Sequence, residues 1–176
     1  VREDLQKLFH ISREQISVIR HGVDTEVFRP LKAEQKKKAG QALKGELGLR
    51  EDCVLILFVG TPERKGLSAA IQALSLLNKQ DVALLAVGVT ESRFYRSLAK
   101  ELGVEAFLRC LSPSQEILRY YQACDIFLLP TLYEPFGLVG MEAMACELAP
   151  VISRCAGVSE LTVPGESAFW IQDALS

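Results

Sequence analysis

The sequence predicts an α/β domain built on a doubly wound parallel sheet. Apolar runs of strand length recur from residue 53 onwards, and they alternate with segments whose apolar residues follow helical spacing. The first of these runs, "CVLILFVG", is apolar at nearly every position, as in a strand that is buried on both faces. Strands that alternate with helices form stacked βαβ units with right-handed crossovers, which is the Rossmann-like architecture.

Length, composition and charge set broad limits on function. The chain has 176 residues, of which 49% are hydrophobic and 24% charged, as expected of one ordinary globular domain. No apolar run reaches the roughly 18 residues that cross a bilayer, so we expect no transmembrane segment. A formal net charge of −2 argues against a nucleic-acid partner held by bulk electrostatics, but it leaves room for a local site for a small anion.

The cysteines and the termini indicate the compartment and the extent of the domain. The cysteines are odd in number and form no C-x-x-C pair, which predicts reduced core thiols and a cytoplasmic protein: Cys53, Cys110, Cys124, Cys146 and Cys155. The first residues lack the pattern of a signal peptide. We expect residues 1–176 to form one domain of a longer protein, which is cut short where Asp173 would cap a further helix.

The elements follow in order along the chain. Before residue 53 we predict a helix within 1–11, a short strand at 16–20, a turn at 21–30 and a solvated lysine-rich helix that ends near Gly48. The later strands are predicted at 53–60, 81–88, 105–110, 125–130 and 149–154. The helices between them are predicted at 66–79, 91–103, 112–124 and 138–147, the third with Ser112 as its cap and Pro113 at its first position.

Sheets of this kind bind ligands beyond the carboxyl ends of their strands, so the loops that leave the strands are the candidate sites. The first, "GTPERKGL", carries Arg64 and Lys65 beside a helix start. Cations, backbone N–H groups and a helix dipole together suit a phosphate or diphosphate. Neither a G-x-G-x-x-G fingerprint nor a Walker A motif is present, which argues against an NAD-type enzyme or a P-loop NTPase.

The fourth strand exit, "LYEPFGLVGMEAMA", holds two acids in an apolar stretch. Glu134 is predicted in the loop and Glu142 in the second turn of the next helix. The backbone amides at the helix start can bind an anion: Phe136, Gly137 and Leu138. Because carboxylates accept the hydrogen bonds that sugar hydroxyls offer, this loop fits a nucleotide sugar. The fifth exit begins at Gly157, where we expect either further backbone donors or a plain turn.

Four segments resemble the donor-binding C-terminal domain of retaining glycosyltransferases of the GT-B fold, the large group 1 or family 4. "HGVDTEVFRP" is similar to that family's N-G-V-D-x-x-x-F-x-P, and "FVGTPERKGL" to its phosphate loop. "CDIFLLPTLYEPFGLVGMEAMA" resembles its E-x7-E signature, and "APVISRCAGVSELTVPGES" the segment that follows. The resemblance covers nearly the whole chain in order and spacing.

The resemblance implies a set of roles. Glu134 would contact the donor sugar, Glu142 the ribose and Lys65 the diphosphate, with Arg64 as a second cation. The amides of residues 136–138 would complete these contacts, and the nucleotide base would lie beside Arg109, Cys110 and Leu111. The resemblance also implies retention of anomeric configuration, no essential metal and no cofactor beyond a UDP-, GDP- or ADP-sugar as donor substrate.

Some positions depart from the family pattern. Thr61 stands where the phosphate loop usually has an arginine, so Arg64 is the candidate replacement. Glu147 and Ala156 stand where glycines are usual. Neither His10 nor His21 receives a catalytic role, since their positions favour surface or turn roles.

The sequence therefore predicts the donor domain of a glycosyltransferase of polysaccharide biosynthesis. By resemblance, a missing N-terminal domain would hold a glycan or lipid-linked acceptor, at the membrane surface in the second case. We expect the isolated domain to be inactive. Two alternatives remain at this point: an epimerase or phosphorylase of the same fold, and a non-catalytic module that binds nucleotide sugars.

Overall fold

A computed structural model describes residues 2–77 and 80–172 of the chain. Its six strands form one parallel sheet in the order β3-β2-β1-β4-β5-β6. The strands are β1 (Val54–Val59), β2 (Val82–Val87), β3 (Leu108–Leu111), β4 (Ile126–Leu129), β5 (Ala149–Ser153) and β6 (Phe169–Ile171). The order runs one way from β1 to β3 and the other way from β4 to β6, which confirms the doubly wound fold class.

Helices connect the strands and cover both faces of the sheet. They are α1 (Arg2–Phe9), α2 (Ala33–Glu46), α3 (Pro62–Lys65), α4 (Leu67–Leu77), α5 (Arg93–Glu101), α6 (Ile117–Ala123) and α7 (Leu138–Ala145). Short 3-10 turns occur at Arg13–Gln15, Glu105–Phe107 and Gly157–Leu161. The predicted fourth-exit helix and the lysine-rich helix are confirmed as α7 and α2.

The core lies on both faces of the central strands. Leu55 and Leu57 of β1 pack with Tyr121 and Phe127 in one buried cluster. Phe58, one position from Leu57, packs on the opposite face in a second cluster with α4 and α5. Successive side chains of a strand point to opposite faces, so an unbroken apolar run is what a sheet covered on both sides requires.

The predicted strand at 16–20 is wrong. These residues lie outside every strand of the described chain, and Val18 and Ile19 are 56% and 89% exposed. An apolar stretch needs a neighbouring strand to supply its ladder hydrogen bonds, and the six-stranded sheet pairs with other segments instead. Most of the segment is exposed, and its last residue, Arg20, forms an ion pair with Glu160.

Two boundaries near the third strand differ from the prediction. Glu105–Phe107 forms a 3-10 turn, so β3 begins only at Leu108. Helix α6 begins at Ile117, and neither Ser112 nor Pro113 starts it. Ser114 makes the local hydrogen bond before the helix instead: its hydroxyl accepts a hydrogen bond of 3.0 Å from the N–H of Glu116.

Strand β6 was not predicted, because its three residues are too few to show a pattern. The predicted end of the helix at 78–79 and the proposed cap at Asp173 lie outside the described residues. All five cysteines are free thiols. Cys155 is exposed and so contradicts the expectation of core thiols at that position.

Glu147 adopts a left-handed conformation with φ of 59° just after α7 ends. Glycine is favoured in this conformation at a helix end, because a side chain there costs about 1 kcal/mol or more. The left-handed backbone thus explains why the family pattern has a glycine here. In this chain the position is an exposed glutamate in the same strained conformation.

Candidate functional site

The candidate site lies where the strand order reverses, between β1 and β4. These strands are neighbours in the sheet, and their connections leave in opposite directions. A crevice forms at such a switch point, beyond the carboxyl ends of the strands. The loops that carry the first and fourth predicted sites therefore meet there, although some 70 residues separate them in sequence.

Glu134 and two cations form the centre of the site. Glu134 Oε2 lies 3.6 Å from Lys65 Nζ and 3.7 Å from a terminal guanidinium nitrogen of Arg64. These distances are those of ion pairs but are too long for hydrogen bonds. The side chains of Glu134 and Lys65 are only 9% and 8% exposed, whereas that of Arg64 is 52% exposed.

The buried oxygen Glu134 Oε2 accepts no hydrogen bond within the described part of the chain. Leaving a buried acceptor without a donor costs about 1–3 kcal/mol, and more for a charged group. Buried polar groups in folded proteins are nearly always satisfied. A ligand hydroxyl or amine in the crevice would supply the donor that the protein does not.

Burial lowers the pKa of Lys65 from its ordinary value. The negative charges of Glu134 and Glu142 oppose this shift, and the neighbouring positive charge of Arg64 adds to it. The site therefore holds a poorly solvated ammonium group, which a further anion would stabilise in its charged form. A diphosphate has the charge to do so.

The first strand exit is held in place from both sides. Arg64 and Lys65 lie in the single turn of α3, where the sequence alone predicted a tight loop. Thr131 is fully buried, and its hydroxyl lies 3.0 Å from the Arg64 carbonyl oxygen and 3.1 Å from that of Tyr133. On the other side, the Tyr95 hydroxyl donates to Glu63 Oε1 at 3.1 Å.

The fourth exit is joined to the fifth by backbone hydrogen bonds. The N–H of Gly157 donates to the Glu134 carbonyl at 2.9 Å, and the N–H of Val158 donates to the Phe136 carbonyl at 2.5 Å. Gly157 must be glycine, because a Cβ there would overlap the carbonyl of Pro135. Gly137 adopts φ of 93° and leads into α7, and its carbonyl accepts a hydrogen bond of 2.8 Å from the N–H of Gly140. The helical N–H groups before Gly140 have no intrahelical acceptor.

Glu142 has a protein partner that the sequence did not reveal. The Tyr121 hydroxyl donates to Glu142 Oε2 at 2.7 Å. Burial, followed by the charge of Glu142, raises the pKa of Tyr121, so the phenol stays protonated and keeps donating. The bond holds the carboxylate of α7 in a fixed orientation, half-buried beside the crevice.

The predicted base-binding stretch, residues 109–111, lies in β3, and its arginine already donates hydrogen bonds to backbone carbonyls. Arg109 Nε donates to the Leu47 carbonyl at 3.1 Å, and a terminal nitrogen donates to the carbonyls of Ala106 and Leu108. The carbonyl of Leu111 accepts the N–H groups of Gly88 and Val89. Cys110 is half-buried, and burial raises the pKa of its thiol. The base-binding role of these residues stays a prediction.

Contacts from outside the predicted loops also form this site. Tyr95, Tyr121 and Thr131 are buried, and the hydroxyl of each contacts a residue 21 or more positions away in sequence, so no local sequence pattern signalled these contacts. The contact of His21 with Phe136, at 5.3 Å between ring centroids, likewise joins residues far apart in sequence.

Among residues 2–77 and 80–172, no group of three or more His, Cys, Asp and Glu side chains is placed to hold a metal ion. No helix in these residues combines the length and the hydropathy that a membrane span requires.

A parallel sheet of this order, with two cations and a buried carboxylate at its switch point, is the C-terminal half of a GT-B glycosyltransferase fold. The chain belongs to the family "Glycosyl transferases group 1", whose model matches residues 41–175. The resemblance seen in the sequence is thereby confirmed at the level of family and fold.

Individual relatives support this assignment. The D-inositol 3-phosphate glycosyltransferase of Corynebacterium glutamicum (strain R) is 30% identical over 97% of this chain and 43% of its own length. The alpha-maltose-1-phosphate synthase of Mycolicibacterium smegmatis is 25% identical over 97% of this chain and 46% of its own. The chain thus spans less than half the length of these curated relatives.

A solved structure aligns with most of the fold. The crystal structure of Anabaena HepE in complex with UDP and glucose has a TM-score of 0.77 and 26% identity, over 93% of this chain and 45% of that one.

Proposed function

We propose that this chain is the donor domain of a glycosyltransferase and binds a nucleoside-diphosphate sugar at the switch point. The observation that carries the proposal is Glu134, whose buried oxygen Oε2 lies beside two cations and accepts no hydrogen bond from the described part of the chain. A sugar hydroxyl supplies a hydrogen-bond donor, and a diphosphate balances the cations. The complex of HepE with UDP and glucose supports a ligand of this class.

Lys65 and Arg64 act on the diphosphate. When the glycosyl bond breaks, negative charge grows on the departing nucleoside diphosphate. Cations fixed beforehand at that position stabilise the charge without reorganising during the reaction. The two cations have different roles because their side chains differ in solvent exposure. Lys65 is the fixed, buried charge, and Arg64 reaches the diphosphate from the rim of the crevice.

Two carboxylates orient the rest of the donor. Glu134 accepts hydrogen bonds from the sugar and favours positive charge at the anomeric carbon, so its role is positioning rather than covalent attack. Glu142, oriented by Tyr121, accepts from the ribose. The amides of residues 136–138 complete the phosphate and sugar contacts, and residues 109–111 lie at the base. Transfer with retention, without a metal or further cofactor, is part of the proposal.

The acceptor belongs to a further domain of a longer protein. We propose a glycan or a lipid-linked acceptor, held by an N-terminal domain that closes over residues 1–176, in a cytoplasmic enzyme that works at the membrane surface when its acceptor is a lipid. The chain spans less than half of its curated relatives, which fits such a two-domain enzyme. We expect the 176-residue chain alone to bind the donor without turnover.

A non-catalytic nucleotide-sugar module is the second candidate. The observation in its favour is Thr61, an exposed residue at the usual arginine position of the phosphate loop. An epimerase or phosphorylase of the same fold would share the sheet and the loops that suit an anion. Product analysis with the full-length protein separates the three: a glycosylated acceptor, an altered or phosphorolysed sugar, or no turnover.

Calorimetric titration of the chain with UDP-glucose, GDP-mannose and ADP-glucose, and with UDP, GDP and ADP, tests the proposal. We expect at least one nucleotide sugar to bind more tightly than its nucleoside diphosphate. Glu134→Gln should abolish this difference, about a tenfold or larger effect, because the sugar loses a charged acceptor. The nucleoside diphosphate itself should bind Glu134→Gln no more weakly, since the cations lose their competing carboxylate.

Glu34→Gln, an exposed change on α2, is the matched control and should bind all six ligands as the wild type does. Failure of every ligand to bind the wild type would contradict the proposal. So would a Glu134→Gln variant that keeps the full preference for the sugar.

A further inference from the structure

The segment that was wrongly predicted as a strand ends against the candidate site. Its last residue, Arg20, forms an exposed ion pair of 3.3 Å with Glu160, which lies in the fifth exit. The next residue, His21, packs its ring at 5.3 Å from that of Phe136, between centroids, at an angle of 57°. Two consecutive residues therefore contact the fourth and the fifth exits.

Phe136 lies in the fourth exit, two residues before α7 begins. It lies between Pro135 and Gly137, and Gly137 has the φ of 93° that only glycine adopts readily. On one side, the backbone of Phe136 is held by the N–H of Val158. On its other side the half-buried ring packs against the exposed imidazole of His21, an aromatic contact with tilted rings.

We propose that His21 is a positioning residue of the donor site. Its ring holds that of Phe136 and thereby fixes the amides of residues 136–138 in the orientation that the diphosphate and sugar require. Packing of the ring, rather than a proton of the imidazole, performs this role. The inference rests on the proposed function, because it assigns a part of that same site to a segment outside the strand exits.

Three variants of the chain separate this role from others. His21→Ala removes the ring, and His21→Phe keeps an aromatic ring without imidazole nitrogens. His10→Asn changes the other histidine, which is exposed at φ of 54°, a conformation that asparagine tolerates. Each is titrated with the nucleotide sugar that binds the wild type most tightly, and amide hydrogen exchange is measured without ligand.

We expect His21→Ala to bind about two- to tenfold more weakly, with His21→Phe and His10→Asn within about twofold of the wild type. In the absence of ligand, exchange in His21→Ala should quicken at residues 136–138 and stay unchanged at 60–66. General destabilisation would speed both loops together. Rescue by phenylalanine identifies ring packing as the cause.

Wild-type affinity in His21→Ala, equal loss in His21→Phe, or unchanged exchange at 136–138 would each overturn the inference. Failure of the wild type to bind any nucleotide sugar would instead contradict the proposed function. In that case the exchange measurement alone decides whether His21 holds the loop.

Discussion

At the scale of single residues, the site combines a buried acid with a buried base that do not satisfy each other fully. Glu134 and Lys65 are less than one-tenth exposed, yet 3.6 Å separates their charged atoms. Burying two charges costs several kcal/mol each unless close hydrogen bonds compensate. In the free protein this cost is not compensated. A ligand that brings both an anion and hydroxyl groups would compensate it, because the anion pairs with the cations and the hydroxyls donate to Glu134.

The lowered pKa of Lys65 predicts a pH dependence of binding. In the free chain burial makes Lys65 release its proton at a lower pH than an ordinary lysine, whose pKa is about 10.4. A bound diphosphate favours the charged form and raises that pKa, so binding takes up a proton between the two values. Affinity for the nucleotide sugar should therefore be constant below the pKa of free Lys65 and fall as the pH rises through it.

Titration calorimetry from about pH 7 to about pH 10 measures this decline. Lys65→Arg keeps its charge throughout that range, so its affinity, although lower overall, should not follow the decline. Lys36→Arg changes a lysine of α2, outside the strand exits, and should keep the wild-type dependence of affinity on pH. A wild-type affinity that stays flat to pH 10, or a Lys65→Arg variant that declines in parallel, would count against a charged Lys65 at the diphosphate.

At the scale of elements, close backbone contacts fix the relation between the strand exits. Gly66 ends α3 with φ of 80°, and a Cβ there would overlap the carbonyl oxygen of Pro130 at the end of β4. Gly157 makes a similar approach to Pro135. These contacts hold the first, fourth and fifth exits at fixed separations, and so hold Lys65 near Glu134.

Gly66→Ala should lower the free energy of unfolding by more than about 2 kcal/mol. The left-handed backbone alone costs alanine about 1–2 kcal/mol, and relief of the overlap must move α3 or β4. Gly45→Ala is the control: it lies within α2, a Cβ there would meet no atom within 4 Å, and it should stabilise the chain by about 0.5–1 kcal/mol.

Urea denaturation followed by circular dichroism gives both values. Equal stability of Gly66→Ala and the wild type would show that α3 is free to shift. The fixed separation of Lys65 and Glu134 would then lose its structural basis.

At the scale of the whole molecule, the sequence predicted the sheet and the loops of the site but not the residues that support them. The unbroken apolar runs gave the central strands, because burial on both faces leaves no room for polar residues. The strand-exit rule then brought Arg64, Lys65 and Glu134 together. Tyr121, Thr131 and His21 act through long-range contacts, which no local periodicity records.

The errors have the same physical origin. Residues 16–20 have the composition of a strand, but strand formation depends on a partner, and that pairing is decided by the rest of the sheet. Helix α6 begins later than predicted because a serine further along the loop makes the local hydrogen bond. The type of an element was therefore predictable where burial imposed it, but the residues at which elements begin and end were not.

Hydrogen exchange measured by mass spectrometry, with and without a saturating nucleotide sugar, shows whether the ligand occupies the crevice between β1 and β4. We predict slower exchange at residues 60–66 and 131–138 in the complex, with little change in α2 and α5. Protection confined to other segments, or no protection at a ligand concentration that saturates binding, would contradict it.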